Sequence, residues 1–138
     1  MNPVIQNIQF HYLVPAFFFP RRNGLKSFLL KQLKKEGKGV EAINYIFCDD
    51  AYLLQVNQQY LNHNTHTDII TFELSPKGQP LIADIYISVE RVKENAAAFH
   101  TSFIKELHRV IFHGALHLAG YKDKKVEENE RQGLYRQP

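Results

Sequence analysis

The sequence predicts a single small α+β domain, residues 1–138, with an about four-stranded mixed sheet and four to five helices. Three observations carry that expectation. The chain has 138 residues, 44% hydrophobic and 22% charged, which suits one ordinary globular core and is too short for two. Short runs rich in Ile, Tyr and Phe alternate apolar with polar residues, as half-buried strands do. Between them lie longer runs with apolar residues at helical spacing, each preceded by a capping residue or proline and several closed by glycine.

Taken in order, Asn7 to Tyr12 alternates and reads as a strand. Pro20 then introduces a helix from Arg21 to Lys35, in which Leu25, Phe28, Leu29 and Leu33 recur on one side and Gly37 and Gly39 stop it. Ala42 to Cys48 reads as a strand. Asp49-Asp50 offers an N-cap for a helix from Ala51 to Tyr60. Leu61 to Asp68 is polar and turn-rich, hence a loop. Ile69 to Leu74 and Leu81 to Ile87 are strands joined by Ser75-Pro76-Lys77-Gly78-Gln79-Pro80, a turn sequence, so the two form a hairpin. Ser88 caps a helix to Phe99. Thr101 or Ser102 caps the next, which runs to Leu118 and ends at Gly120. A short terminal helix follows Val126.

Several function classes are excluded by what is missing. Cys48 is the single cysteine, so no disulfide framework exists, and between Phe47 and a strand it reads as a buried small hydrophobe. Unpaired cysteine suits a reducing, cytoplasmic setting. The most apolar N-terminal stretch, Tyr12 to Phe19, is broken by Pro15 and falls far short of the ~20 residues of a membrane span. It also lacks the flanks of a secretory signal. The net charge of +3 says little, but Arg21, Arg22, Lys26, Lys31, Lys34, Lys35 and Lys38 cluster in one stretch opposed only by Glu36. A solvated helix face and a phosphate-binding surface both account for that run.

The residues that carry chemistry lie between His113 and Asp123. His113 and His117 stand at i and i+4 on a predicted helix, which puts their imidazoles on one face about 5–6 Å apart at Cβ. One divalent ion can bridge side chains so placed. Gly120 lets the chain turn back, and Asp123 just beyond can supply a third ligand from another direction. Three protein ligands with a position left open is the pattern of a catalytic zinc site. Two histidines at this spacing also arise as ordinary surface residues. The spacing H-x-x-x-H-x-x-G-x-x-D favours the metal, because it matches the long zincin pattern. The helix is thus expected to be a zincin-like metal-site helix. Phe103, Leu107, Val110, Ile111, Gly114 and Leu118 form its apolar stripe, with both histidines beside the edge. Zincin proteases carry Glu directly after the first histidine as general base. Here that position is Gly114, which argues against peptide hydrolysis by their route.

The run His113-Gly114-Ala115-Leu116-His117-Leu118-Ala119-Gly120-Tyr121 resembles the signature H-G-x-L-H-L-x-G-Y-D-H of the YbeY family, bacterial endoribonucleases of ribosomal RNA maturation. Asn57 and Tyr60 match the family's N-x-x-Y, Thr67 to Phe72 its T-D-V-L-S-F, Ala83 to Ser88 its G-D-I-x-I-S strand, and Glu106-Leu107 its E-L pair. The similarity runs in order from Asn57 to Lys124. Two positions depart from it. The third ligand is usually histidine, and after Lys122 its offset carries Asp123. An arginine usually follows the tyrosine of N-x-x-Y, where this chain has Leu61; His63 or His66 lie in the same loop. The resemblance implies a metal-dependent single-strand endoribonuclease with one Zn2+ held by His113, His117 and Asp123. It implies ribosomal RNA and the small ribosomal subunit as partners, including processing of the small-subunit rRNA 3′ end. Arg21 to Lys38, with Lys122, Lys124 and Lys125, would contact phosphates. Thr67, Asp68 and Asp84 have a structural reading, Asp68 tying down its own loop. The alternatives are an RNA-binding ribosome assembly factor with a mainly structural metal, and a metal-dependent hydrolase of another substrate.

Overall fold

The computed structural model describes residues 7–61 and 67–120. Among them are four strands and four helices: β1 (Ile8–Tyr12), α1 (Arg22–Lys35), β2 (Val40–Cys48), α2 (Asp50–Leu61), β3 (Ile69–Glu73), β4 (Leu81–Ser88), α3 (Val89–Ala98) and α4 (Phe103–Leu118). The predicted terminal helix after Val126 lies outside the described residues. The strands form one mixed sheet in the order β1-β2-β4-β3. β1 and β4 both run parallel to β2, while β3 pairs antiparallel with β4 as the predicted hairpin.

Local chemistry sets the element ends. Asp49 Oδ1 accepts from the Tyr52 N–H at 2.7 Å, Ser88 Oγ from the Arg91 N–H at 3.1 Å, and Ser102 Oγ from the Lys105 N–H at 3.1 Å. These are three of the expected N-caps. α1 starts differently. Arg21 precedes it in the left-handed region, φ 59°, with no side-chain cap. Gly120, at φ 96°, turns the chain after α4 as its position predicts.

The alternation of the strands makes two unlike sheet faces. One carries Ile8, Ile43, Tyr45, Phe47, Ala83, Ile85 and Ile87, all essentially inaccessible to solvent, and packs against α1 and α4. Phe17 and Phe19 complete this side. Phe17 meets Phe47 and Phe103 with ring centroids 5.3 Å away in each case, and Phe19 stacks on Phe10 at 5.0 Å. The apolar stretch before Pro20 thus sends Tyr12, Val14, Phe17 and Phe19 to the core, while Leu13 and Phe18 stay exposed. Across this core the Tyr45 hydroxyl donates to the Ile111 carbonyl at 3.0 Å, pinning α4 to the central strand. The other face carries Cys48 and Ile70, with Leu53 and Val56 of α2 packed over them. Cys48 is fully buried there, and burial with Asp49 and Asp50 nearby pushes its thiol up to about 12. No helix among the described residues is long and apolar enough to cross a membrane.

α4 departs from the simple stripe that its spacing predicts. Leu107, Val110, Ile111, Gly114 and Leu118 are buried as expected, but so are Glu106, His108, Phe112, Ala115 and Leu116. The helix is central, with α1, α3 and the sheet around it. Its approach to the sheet is set at Gly114. A Cβ there would lie 2.9 Å from Ile69 Cδ1 and 3.3 Å from two methyl carbons of Ile85.

Two predictions follow from this packing. Gly114→Val forces branched carbons into the contact with Ile69 and Ile85 and should cost about 2–3 kcal/mol in urea unfolding. Gly114→Ala should cost less, since Ile69 Cδ1 can rotate away and alanine favours the helix. His108 is 1% exposed, and neither ring nitrogen has a partner among the described residues. Burial, then the Arg21 charge, lowers its pKa. The unfolded chain thus takes up a proton below ~6.5 that the folded chain refuses. Stability should fall as pH drops through that value, by less than about 1.4 kcal/mol per pH unit from this group. His108→Leu should lose that part of the acid sensitivity in paired urea melts at pH 7.5 and 5.5.

Candidate metal centre

The final two turns of α4 place His113 and His117 side by side. Both are half-buried, at the part of the helix surface that the core leaves open. Their Nε2 atoms are 3.0 Å apart. The rings stack with centroids 4.8 Å apart and planes 18° from parallel. At this separation one imidazole donates its N–H to the other. Two nitrogens bound to one tetrahedral zinc at ~2.0–2.1 Å would be about 3.3 Å apart. The pair therefore already stands near chelating distance. The donor set fits a zinc ion.

Among the described residues no further histidine, cysteine, aspartate or glutamate completes a metal-holding group with this pair. Asp123, the third predicted ligand, lies outside the described residues, as do His63, His66, Lys122, Lys124 and Lys125. Leu61 ends α2.

At 100° per residue, Glu106, Arg109, His113 and His117 fall within a sector of about 80° on α4. The histidines thus continue a charged stripe that motif reading passed over. Glu106 is only 3% exposed. It accepts two hydrogen bonds from Arg109, at 2.8 and 2.7 Å, in the forked geometry that suits guanidinium and carboxylate. Asp68 Oδ2 stands 3.9 Å from the same guanidinium and accepts from Asn95 Nδ2 at 3.4 Å, while the Asp68 carbonyl accepts from the Ser88 N–H at 3.0 Å. Asp68 thereby ties the start of β3 to α3 and α4, while residues 62–66 of the loop it was expected to tie down lie outside the described residues. Thr67 Oγ1 bonds locally, donating to the Ile69 carbonyl at 3.2 Å. Asp84 is on the opposite sheet face, away from the helix that carries the pair. Of the predicted site residues, only His113 and His117 meet among those described. The i,i+3 spacing of Glu106 and Arg109 was the available signal for the pair beside them.

The family profile described as Endoribonuclease YbeY matches residues 22–134. The chain belongs to the YbeY family. A relative from Flavobacterium psychrophilum, named Endoribonuclease YbeY, is 56% identical over 102 residues, covering 74% of this chain and 69% of that protein. One of the same name from Cytophaga hutchinsonii is 47% identical over 110 residues, covering 80% and 77%. The solution structure of TM1509 from Thermotoga maritima superposes with a TM-score of 0.61 at 31% identity, over 91% of this chain and 85% of that one. Both the α+β class and the resemblance seen in the sequence are thereby met. Within the YbeY family, the matched region takes in the whole of α1 to α4 and the His113–Asp123 stretch.

The buried Glu106 carboxylate generates a prediction. Arg109→Met keeps the stem and removes the charge, leaving Glu106 with its forked partner gone. Unfolding should show a loss of about 2–3 kcal/mol, below the full cost for a wholly buried pair because the guanidinium is partly exposed. The double variant Glu106→Gln with Arg109→Met should recover part of that loss.

Proposed function

We propose that this chain is a zinc-dependent, single-strand-specific endoribonuclease of ribosomal RNA maturation, acting in small-subunit rRNA 3′-end processing and in ribosome quality control. Membership of the YbeY family supports RNA hydrolysis. The observation that carries the metal reading is the pair of Nε2 atoms 3.0 Å apart on one helix face. His113, His117 and Asp123 would hold one zinc ion. A bound zinc supplies a Lewis acid for a phosphoryl oxygen and lowers the pKa of water towards ~7.

The chain's own residues do the positioning. α4 is packed on nearly every side, so the two imidazoles are presented from a fixed helix and need little ordering when substrate binds. The Arg109 fork to Glu106 braces the turn before them. Gly114 faces Ile69 and Ile85. The position that bears the general base in zincin proteases is thus taken up by packing, which supports RNA over a peptide as substrate. Exposed Arg21, Arg22, Lys31, Lys34 and Lys35 at and along α1 provide sequence-independent attraction for phosphates. Ribosomal RNA in the small subunit is the substrate, and the cytoplasm, where a lone cysteine stays reduced, is the setting.

The test combines metal analysis with cleavage of labelled single-stranded RNA. His117→Ala should lose zinc and lower cleavage at least about 100-fold, as expected when several kcal/mol of transition-state stabilisation is removed. Asp123→Ala should hold zinc more weakly, whereas Asp123→His should keep it. Undiminished cleavage by a metal-free His117→Ala protein would overturn the proposal. RNA binding with no cleavage by either protein would instead identify an assembly factor with a structural ion.

A further inference from the structure

The sheet face opposite α4 holds a groove that the metal centre does not use. It lies between α2 and the β3–β4 hairpin and encloses about 400 Å³, within the range of small-molecule sites. Its walls are aromatic. Tyr52 stacks with Tyr86 at 6.2 Å, Tyr60 meets Phe72 edge-on at 6.0 Å, and Phe72 meets Tyr86 at 5.9 Å. Tyr60 is 66% and Tyr52 39% exposed, so ring surface is left uncovered.

The polar side of the groove is one carboxylate, Asp84, with the Gln55 and Gln59 amides on the facing helix. Asp84 is held in place from behind. Asn44 Nδ2 donates to Asp84 Oδ1 at 3.2 Å, and Asn44 Oδ1 is 2.9 Å from His11 Nε2. A carboxylate only accepts, so Asn44 must turn its NH2 to Asp84 and its oxygen to His11, whose Nε2 then carries the proton. The chain of bonds crosses β1, β2 and β4 and fixes the carboxylate plane while using one acceptor position of four.

We propose that this groove is a base subsite for single-stranded RNA and takes guanine, with Asp84 accepting from the edge of the base, the exposed Tyr60 ring stacking on its face, and Tyr52, Phe72 and Tyr86 forming the aromatic walls around it. The inference rests on the endoribonuclease reading for its choice of ligand. Exposed aromatic rings are the usual platform for unpaired bases. Among the described residues no cation lines the groove, and Asp84 repels phosphate, so the base and not the backbone is what fits. Among bases, guanine alone offers two adjacent donors, N1–H and the N2 amino group, to the two oxygens of a carboxylate. Adenine and cytosine turn a ring acceptor to one of those oxygens, and uracil flanks its single N–H with carbonyls. Charge-assisted paired bonds of this kind are strong and directional. The groove is also within reach of the metal centre. β3 is an edge strand. Ile69 at its start touches the Gly114 position of α4, and Phe72 in the groove is about 10 Å further along. A strand of RNA crossing that edge passes from one site to the other.

The experiment is fluorescence anisotropy with labelled single-stranded heptaribonucleotides, uridine throughout except for a central G, inosine or A. Binding is measured in the His117→Ala background so that the RNA stays intact. The G heptamer should bind about tenfold more tightly than the A heptamer, the discrimination of one good bidentate pair. Inosine, which lacks the N2 amino group, should fall between them. Asp84→Asn, which keeps the Asn44 bond, should erase the preference. Tyr60→Ala, at an exposed position, should weaken all three by about tenfold. Equal affinities for the three RNAs, or a G preference that survives Asp84→Asn, would overturn the proposal. RNA binding untouched by both variants would overturn it too and assign the groove to a protein partner. The wild-type chain's cleavage of the same heptamers with zinc is scored separately: base-blind binding beside intact cleavage sinks the subsite alone, and absent cleavage sinks the nuclease reading.

Discussion

Helix α4 meets the sheet closely at Gly114, where it has no side chain. A Cβ there would come within 2.9 Å of Ile69 and 3.3 Å of Ile85, so the contact fixes both the spacing of the helix from the sheet and its rotation about its own axis. A one-residue change in that rotation would swing every side chain by about 100°. With Gly114 facing the sheet, Leu107, Val110, Ile111 and Leu118 go into the core, and the sector of Glu106, Arg109, His113 and His117 comes out at its border. The two imidazoles are adjacent because of helix pitch. They are accessible because of a glycine.

Much of the fold was legible in the sequence because its signals are local. Asp49, Ser88 and Ser102 cap the helices they precede, and Gly37 and Gly120 adopt positive φ where a helix has to stop. The 69–87 hairpin was marked by its turn residues. The His113–His117 pair was legible for the same reason, since four residues on a helix is a distance. What the sequence could not express was enclosure. A helical wheel shows which side of α4 is most apolar but not how many neighbours surround it, so the burial of His108 and Glu106 had no sequence signature. The insertion of β4 between β2 and β3 is likewise a matter of long-range pairing. Gly114 was read for its chemistry, as a missing base. The structure adds a steric reason for the same residue, and the two agree in consequence. Asp123 belongs to the residues not described, and its place beside the pair rests on spacing.

The two faces of the sheet differ in kind, and strand alternation is the cause. On the α4 side the inward residues of the central strands are apolar apart from the Tyr45 hydroxyl, which Ile111 satisfies. On the α2 side the same strands present Asn44, Asp84 and Tyr86, whose polar atoms need partners. Asn44 satisfies Asp84 in part and is itself satisfied by His11, so that face keeps a polar network at moderate exposure. A fully apolar second face would have packed more tightly under α2. It would also have left nothing there to recognise a polar ligand.

The closure of the core by α4 has a consequence for the order in which the protein can come into being. Tyr45 on the central strand bonds to Ile111 across 66 positions of chain, and Phe17 and Phe19 pack on Phe103 and His108. Until α4 has been synthesised and released from the ribosome, the part of this sheet face that α1 does not cover, with its aromatic cluster, lacks a cover. At 5–20 residues per second, the interval between making Tyr45 and making Ile111 is roughly 3 to 13 s. The nascent chain must spend that time with part of its future interior exposed, so the emergence of α4, rather than any earlier element, commits it to the native state.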